Sequence, residues 1–220
     1  VIMPEERSGP RIGRFHLITD TVIQRRYSHA ELAAMAIDGG ADTIQYRSKS
    51  GDIRAMIAEA SSVRELCARR GVTFVVNDRI DLCLAVGADG VHLGLEDMEI
   101  ATARRILGPE MIIGGTIRNR EHLAEAVAAG ADYVGLGPIF GTSSKQLALE
   151  PLGLDVVRDV CAVAMIPVIG IAGITPGNAA SVVEAGAYGV ALIGAVCAAA
   201  DVAAAASAVS RMVAGAIARR

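Results

Sequence analysis

Short, almost wholly apolar runs alternate along the chain with longer segments whose apolar residues recur every three or four positions. Runs at Phe15–Thr19, Thr43–Tyr46, Thr73–Asn77 and Gly90–Leu93 are rich in β-branched and aromatic side chains, which predicts buried strands. Ile112–Gly115, Tyr133–Gly137, Pro167–Gly170 and Gly189–Ile193 repeat the pattern. Helical periodicity fills the gaps, at about 28–39, 52–70, 79–86, 97–107, 119–129, 154–163, 176–185 and 196–217.

A turn phrase recurs at the helix-to-strand junctions: Gly40-Ala41-Asp42, Gly87-Ala88-Asp89, Gly130-Ala131-Asp132 and Gly186-Ala187-Tyr188. Glycine takes the left-handed conformation that ends a helix, and a small alanine lets the helix end approach the next strand. Parallel strands need crossover helices, so strand-helix units in this number and length predict a (β/α)8 TIM barrel. The competing arrangement is an open doubly wound sheet; the strand count and the lack of a second substrate domain favour closure. The expected organisation is one barrel domain over residues 1–220, with 1–14 a short N-terminal extension.

Composition narrows the partners. The 220 residues are 52% hydrophobic, enough for a sizeable core and too apolar for disorder. Basic and acidic side chains number 21 and 24, a net charge of -3, so no broad basic field points to nucleic acid. Cys67, Cys83, Cys161 and Cys197 are widely spaced, three of them in apolar surroundings, and read as free thiols rather than a metal set or disulfide scaffold. Val1 to Arg14 carries Pro4, Glu5, Glu6 and Pro10 and no hydrophobic leader core, so a cytoplasmic location is expected. Gly186 to Met212 is the most apolar long stretch, but Asp201 and its many alanines predict a packed strand and helix rather than a membrane span. A homo-oligomer contact through Ala198 to Ala206 is the remaining partner expectation.

In a barrel of this kind, residues just after the strands lie on the catalytic face and the Gly-Ala-Asp turns lie on the opposite one. Asp42, Asp89 and Asp132 are therefore expected as turn and cap residues. At the second strand end, an extended Gln45-Tyr46-Arg47-Ser48-Lys49 directs Gln45, Arg47 and Lys49 to one side, where guanidinium and ammonium can grip phosphate oxygens. An exposed, salt-bridged loop explains the same residues. Asn77-Asp78 and Glu96-Asp97 reach the same mouth; Asp78 and Asp97 suit Mg2+ bridging to a diphosphate, with helix capping as the alternative. Asn77 is placed to orient a ligand. His92 has no companion ligands nearby and reads as a hydrogen-bonded histidine in the top layer of the barrel, and His16 and His29 give no reason to invoke zinc.

Thr116 offers a hydroxyl to a phosphate or caps the helix beginning near Asn119. The run from Gly135 to Lys145 joins glycines, hydroxyls at Thr142 and Ser144, and a lysine that can balance a leaving group's charge; its length suits a lid anchored by Phe140. Gly173 and Gly194 follow the last two strands, where barrels bind phosphate with backbone N–H groups; ordinary loop geometry explains them as well.

Together, Gln45-Tyr46-Arg47-Ser48-Lys49, Val76-Asn77-Asp78-Arg79, Gly87 through Asp97, Gly135 through Lys145, and Pro151-Leu152-Gly153 resemble the thiamine-phosphate synthase family, over nearly the whole span from Phe15 to Ile193. The resemblance implies that a hydroxymethylpyrimidine diphosphate is joined to a hydroxyethylthiazole phosphate with loss of pyrophosphate. It implies that Gln45, Arg47, Lys49, Asn77 and Lys145 hold the diphosphate and that Asp78 and Asp97 hold Mg2+. It assigns Thr116, Thr142 and Ser144 to contacts with substrate phosphates or the pyrimidine, and Gly173, Ile193 and Gly194 to the thiazole phosphate. In that family the diphosphate departs first and no protein nucleophile is needed.

Several positions depart from the family pattern: Tyr46 for Leu, Leu95 for Gln, Thr116 for Ser, Gly141 for Pro, Ala172 for Gly and Gly194 for Ser. The related thiazole tautomerase has a characteristic histidine after strand five, where this chain has Thr116 and Ile117. That isomerase activity and a noncatalytic phosphometabolite-binding barrel are the alternative functions.

Overall fold

The computed structural model describes residues 12–49, 51–141 and 150–220. Its strands are β1 (Phe15–Thr19), β2 (Thr43–Tyr46), β3 (Thr73–Asn77), β4 (Gly90–Leu93), β5 (Ile112–Ile117), β6 (Tyr133–Leu136), β7 (Val168–Ile171) and β8 (Gly189–Leu192). They pair in parallel and in sequence order, and Leu17 of β1 aligns with Leu192 of β8, which closes the barrel. The helices are α1 (His29–Asp38), α2 (Ile53–Arg70), α3 (Ile80–Val86), α4 (Ile100–Leu107), α5 (Arg120–Ala128), α6 (Gly153–Cys161), α7 (Ala179–Glu184), α8 (Gly194–Cys197) and α9 (Val202–Ala218).

Strand alternation divides the apolar residues into two clusters. Leu17, Ile44, Phe74, Val91, Ile113 and Val190 face the helices, while Ile18, Val75, Ile112, Tyr133, Ile169 and Ala191 pack inside the barrel. Burying such a side chain contributes about 1.5–3 kcal/mol, so the two layers together set both closure and register.

The recurring turn phrase does the same mechanical task each time. Ala41, Ala88, Ala131 and Ala187 donate back to the carbonyls of Ala36, Cys83, Ala126 and Val182, ending each helix in one geometry. The aspartates then stitch strands rather than capping helices. Asp42 accepts from the N–H groups of Arg14 and Phe15, Asp89 from Phe74 at 2.8 Å and Asp132 from Ile113 at 2.8 Å. These carboxylates serve the amino-terminal face of the barrel, as the spacing predicts. In the fourth copy Tyr188 replaces the aspartate, and the Arg14 guanidinium stacks 4.1 Å over its ring.

Boundaries shift at three functional points. β5 continues to Ile117, which draws Thr116 into the sheet. α4 begins only at Ile100 after Glu99, leaving Asp97 in the preceding loop. The expected last helix breaks into α8 and α9, and Asp201 caps α9 by accepting from the Ala204 N–H at 2.9 Å. The alanines of α9 allow close packing within the chain: a Cβ on Gly39 would stand 2.5 Å from that of Ala206. Among the described residues no helix is long and apolar enough to cross a membrane. All four cysteines are free, and Cys67, Cys83 and Cys197 are buried.

Candidate active site at the carboxyl end of the barrel

A cavity of about 560 Å³ opens where the strands end. Because alternate residues of an extended strand share a face, Gln45, Arg47 and Lys49 all line it, whereas Tyr46 points outward and donates to Glu59 at 2.8 Å. The Tyr46 departure from the family pattern therefore lies against α1 and α2, its ring 4.5 Å from that of His29.

Both cations are held by carboxylates. Arg47 donates to Asp20, which is 2% exposed and also accepts from the N–H groups of Val22 at 2.8 Å and Ile23 at 3.2 Å. Asp20 thus fixes the guanidinium and the loop after β1 together. Lys49 is paired with Asp78, more loosely, with about half of its side chain exposed. Asp78 has a left-handed backbone (φ 64°), and its N–H donates to the His92 carbonyl at 2.8 Å, which turns the chain off β3 and leaves Asn77 and Asp78 lining the cavity.

Asp97 stands behind this pair and accepts from the Gly94 N–H at 2.6 Å. Burial first, then a hydrogen bond and charge repulsion from Asp78, hold its carboxyl above the usual carboxylate range, against the opposing pull of the Gly94 N–H and Lys49. A close carboxylate pair of this kind favours a cation. Among the described residues no three His, Cys, Asp or Glu side chains cluster. Two carboxylates completed by substrate phosphates and water are nonetheless a donor set that Mg2+ accepts, so Asp78 and Asp97 fit the ion.

The floor is neutral and hydrogen-bonded. His92 lies between the Tyr133 hydroxyl, 3.0 Å from Nδ1, and the Thr116 hydroxyl, 3.1 Å from Nε2. Thr116 is accordingly a strand residue facing the cavity, not a cap; Asn119 caps α5 instead, accepting from His122 N–H at 2.8 Å. His92 is the hydrogen-bonded histidine its sequence context predicts.

The far wall is made of backbone. Gly173 (φ 68°) packs so closely on Phe140 and Gly141 that a Cβ would lie 2.6 Å from the Gly141 carbonyl oxygen. Asn178 braces this loop, donating to the Gly173 carbonyl at 3.0 Å and accepting from the Thr175 N–H at 2.7 Å. Ala172 is also left-handed, with φ 73°, a conformation that favours glycine. Ile193 and Gly194 line the same wall, and α8 starts at Gly194; the Val196 and Cys197 N–H groups donate to the Ile193 carbonyl, so the N–H groups of Gly194 and Ala195 are the ones ahead of the helix ladder.

Thus Gln45, Arg47, Lys49, Asn77, Asp78, Thr116, Gly173, Ile193 and Gly194 converge on one cavity, with Asp97 directly behind it. Thr142, Ser144 and Lys145 lie outside the described residues. Sequence reasoning gave no role to Asp20, Tyr133 or Arg118. Arg118 lines the cavity, and its Nη1 is buried without a hydrogen-bond partner among the described residues, while Nη2 donates to the Glu150 carbonyl at 3.3 Å. A second cavity, of about 610 Å³, lies at the opposite end, by Arg14, Pro167 and Tyr188. Arg14, Asp132 and Arg220 line it, but it lies on the amino-terminal face, opposite the strand ends where barrel chemistry is placed.

Fold and site together define a (β/α)8 barrel whose mouth combines paired carboxylates, basic side chains and backbone donors. The chain belongs to the thiamine monophosphate synthase family, whose model matches residues 15–196. It is 48% identical over 190 residues to a thiamine-phosphate synthase of Salinibacter ruber, covering 86% of this chain and 84% of the relative. A thiamine-phosphate synthase of Chloroflexus aurantiacus is 47% identical over 193 residues, covering 88% and 89% respectively. The solved thiamine phosphate pyrophosphorylase of Pyrococcus furiosus superposes with a TM-score of 0.85 at 36% identity, over 93% of this chain and 96% of that one.

Proposed function

We propose that the chain joins hydroxymethylpyrimidine diphosphate to hydroxyethylthiazole phosphate, forming thiamine phosphate and pyrophosphate with the help of Mg2+. The observation that carries this reading is the convergence of Arg47, Lys49 and Asp78, with Asp97 behind Asp78, on one side of a cavity whose other side is the backbone wall at Gly173 and Gly194. Two differently built anion sites suit two phosphorylated substrates.

In this assignment Asp78 and Asp97 hold Mg2+, which when bound supplies positive charge to the diphosphate oxygens. Arg47, kept in place by Asp20, and Lys49 bind the same diphosphate, with Asn77 orienting it. The bond between the pyrimidine methylene and the diphosphate oxygen breaks, and its electron pair leaves with pyrophosphate. The thiazole nitrogen lone pair then forms the new carbon–nitrogen bond. Arg47, Lys49, Arg118 and Lys145 lower the barrier by meeting charge that gathers on the leaving group. The N–H groups around Gly173 and Gly194 hold the thiazole phosphate, so the two reacting atoms meet as neighbours. Gly194 provides no hydroxyl but keeps its amide, so this half depends on the backbone.

Incubating the purified protein with both substrates and Mg2+ tests the reading. Mass spectrometry is expected to find thiamine phosphate, formed only when both substrates are present. Turnover of a thiazole carboxylate tautomer without any pyrimidine substrate would instead indicate the isomerase activity.

A further inference from the structure

The interior of the barrel is shaped around one hydrogen-bonded chain. Tyr133 is 1% exposed, and its ring occupies the space above Gly114, where a Cβ would lie 2.2 Å from Tyr133 Cζ. His92 stands over Gly135, where a Cβ would lie 3.0 Å from Cε1. The Tyr133 hydroxyl meets His92, which in turn meets Thr116, and the Gln45 side chain lies within hydrogen-bonding reach of Tyr133. Its two ends, Gln45 and Thr116, both line the active-site cavity. Burial holds the Tyr133 phenol far above its ordinary range, so the hydroxyl keeps its proton.

A neutral imidazole has one donor nitrogen and one acceptor nitrogen. The direction of the hydrogen bonds is therefore transmitted along the chain. If Gln45 donates to Tyr133 and Tyr133 to His92, then His92 donates to Thr116; the Thr116 O–H is left as a donor and the Gln45 carbonyl as an acceptor. If the chain runs the other way, Thr116 offers an acceptor and Gln45 an N–H. Either way the floor presents one donor and one acceptor, and the two change places together.

We infer that Tyr133 and His92 are positioning residues that fix this paired donor and acceptor for the edge of an aminopyrimidine, where an amino donor adjoins a ring-nitrogen acceptor. The inference rests on the proposed reaction. With the diphosphate held at the mouth by Arg47 and Lys49, the uncharged ring one methylene away is the part that reaches the neutral floor. Tyr133 and His92 act through Gln45 and Thr116 and need not touch the ligand.

The test compares two ligands on wild type and Tyr133→Phe: the pyrimidine diphosphate, and inorganic pyrophosphate, both titrated calorimetrically with Mg2+ present. Pyrophosphate affinity alone reads the anion half of the proposed site. The variant is expected to bind the pyrimidine diphosphate about tenfold more weakly, while pyrophosphate binding stays unchanged. Thr116→Val, at the mouth end of the chain, is expected to give the same selective loss, and the double variant no more than the larger single loss. A purely structural role for Tyr133 would weaken both ligands together. Equal weakening of both, unchanged affinity for both, or additive effects in the double variant would overturn the inference. Should Tyr133→Phe fail to fold, Thr116→Val decides by the same comparison.

Discussion

Asp97 stands beside Asp78, and burial first, then the hydrogen-bonding and charge of the Asp78 carboxyl, keep the Asp97 proton affinity high. A raised folded-state pKa means that the metal-free folded protein gains stability as pH falls through that value and loses it above. Asp97→Asn is therefore expected to leave the thermal midpoint of the metal-free protein unchanged or higher at pH 7, while weakening Mg2+ binding about tenfold or more. Calorimetric Mg2+ titration beside thermal melts checks both halves. A lowered midpoint with unaltered Mg2+ affinity would give Asp97 a structural role only.

Arg47 depends on Asp20. Both side chains are nearly buried, at 14% and 3% exposed, so Asp20→Asn leaves a guanidinium without its counter-charge. Stability is expected to fall by about 3 kcal/mol, since breaking a buried pair from one side costs more than the pair contributes. KM for the pyrimidine diphosphate is expected to rise, and KM for the thiazole phosphate to hold. Urea denaturation and steady-state kinetics measure these separately.

Arg118 tests whether the unpartnered Nη1 serves a ligand. Arg118→Gln is expected to lower kcat/KM by about tenfold, an ordinary effect for a charge-assisted contact to phosphate. The same change removes a buried N–H that lacks a partner among the described residues, at the cost of the Nη2 hydrogen bond to the Glu150 carbonyl, so the ligand-free midpoint is expected to change little. Unchanged kinetics would place Arg118 outside the reaction.

His16 makes an acid-sensitivity prediction. Burial lowers its pKa to about 4, outweighing its hydrogen bond with the Gly13 carbonyl and the charge of Asp42. Between about pH 6.5 and 4 the unfolded chain binds this proton and the folded chain does not, so stability falls as pH falls. At about 1.4 kcal/mol per pH unit the full loss is on the order of 3 kcal/mol. Urea midpoints across that range are expected to slope less steeply in His16→Gln than in wild type; parallel slopes would contradict the assignment.

Much of the barrel was legible because its signals are local. Apolar runs located all eight strands, and the Gly-Ala-Asp phrase located the turns of the amino-terminal face. Strand-end polarity brought Arg47, Lys49, Asp78 and Thr116 to one cavity before any register was known. Asp20 carries the same signal, a polar residue just after β1, but its role is set by a partner 27 positions away, which no local pattern shows. Arg118 is not legible locally, because the apolar run predicts a fifth strand ending at Gly115 whereas β5 continues to Ile117 and carries Arg118 to the mouth.

Tyr133 was illegible for a different reason. Its role depends on β5 setting Gly114 opposite it and on β4 setting His92 opposite Gly114, and such register is a property of the closed sheet. Gly114 and Gly135 read locally as weak strand residues; in the barrel they are the space that two large polar rings occupy. Gly114→Ala is accordingly expected to destabilise by about 1–3 kcal/mol through overpacking.

In the proposed reaction Asp78 and Asp97, with Arg47 and Lys49, assemble the diphosphate site around Mg2+. The most direct test of this assembly is pyrophosphate release, with both substrates saturating, as Mg2+ is titrated against wild type and Asp78→Asn. Wild type should release pyrophosphate in proportion to Mg2+ occupancy and stop when the ion is chelated, and the variant should need far more Mg2+ for half-maximal rate. Release that continues at full rate under chelation, or identical Mg2+ dependence in both proteins, would contradict the account.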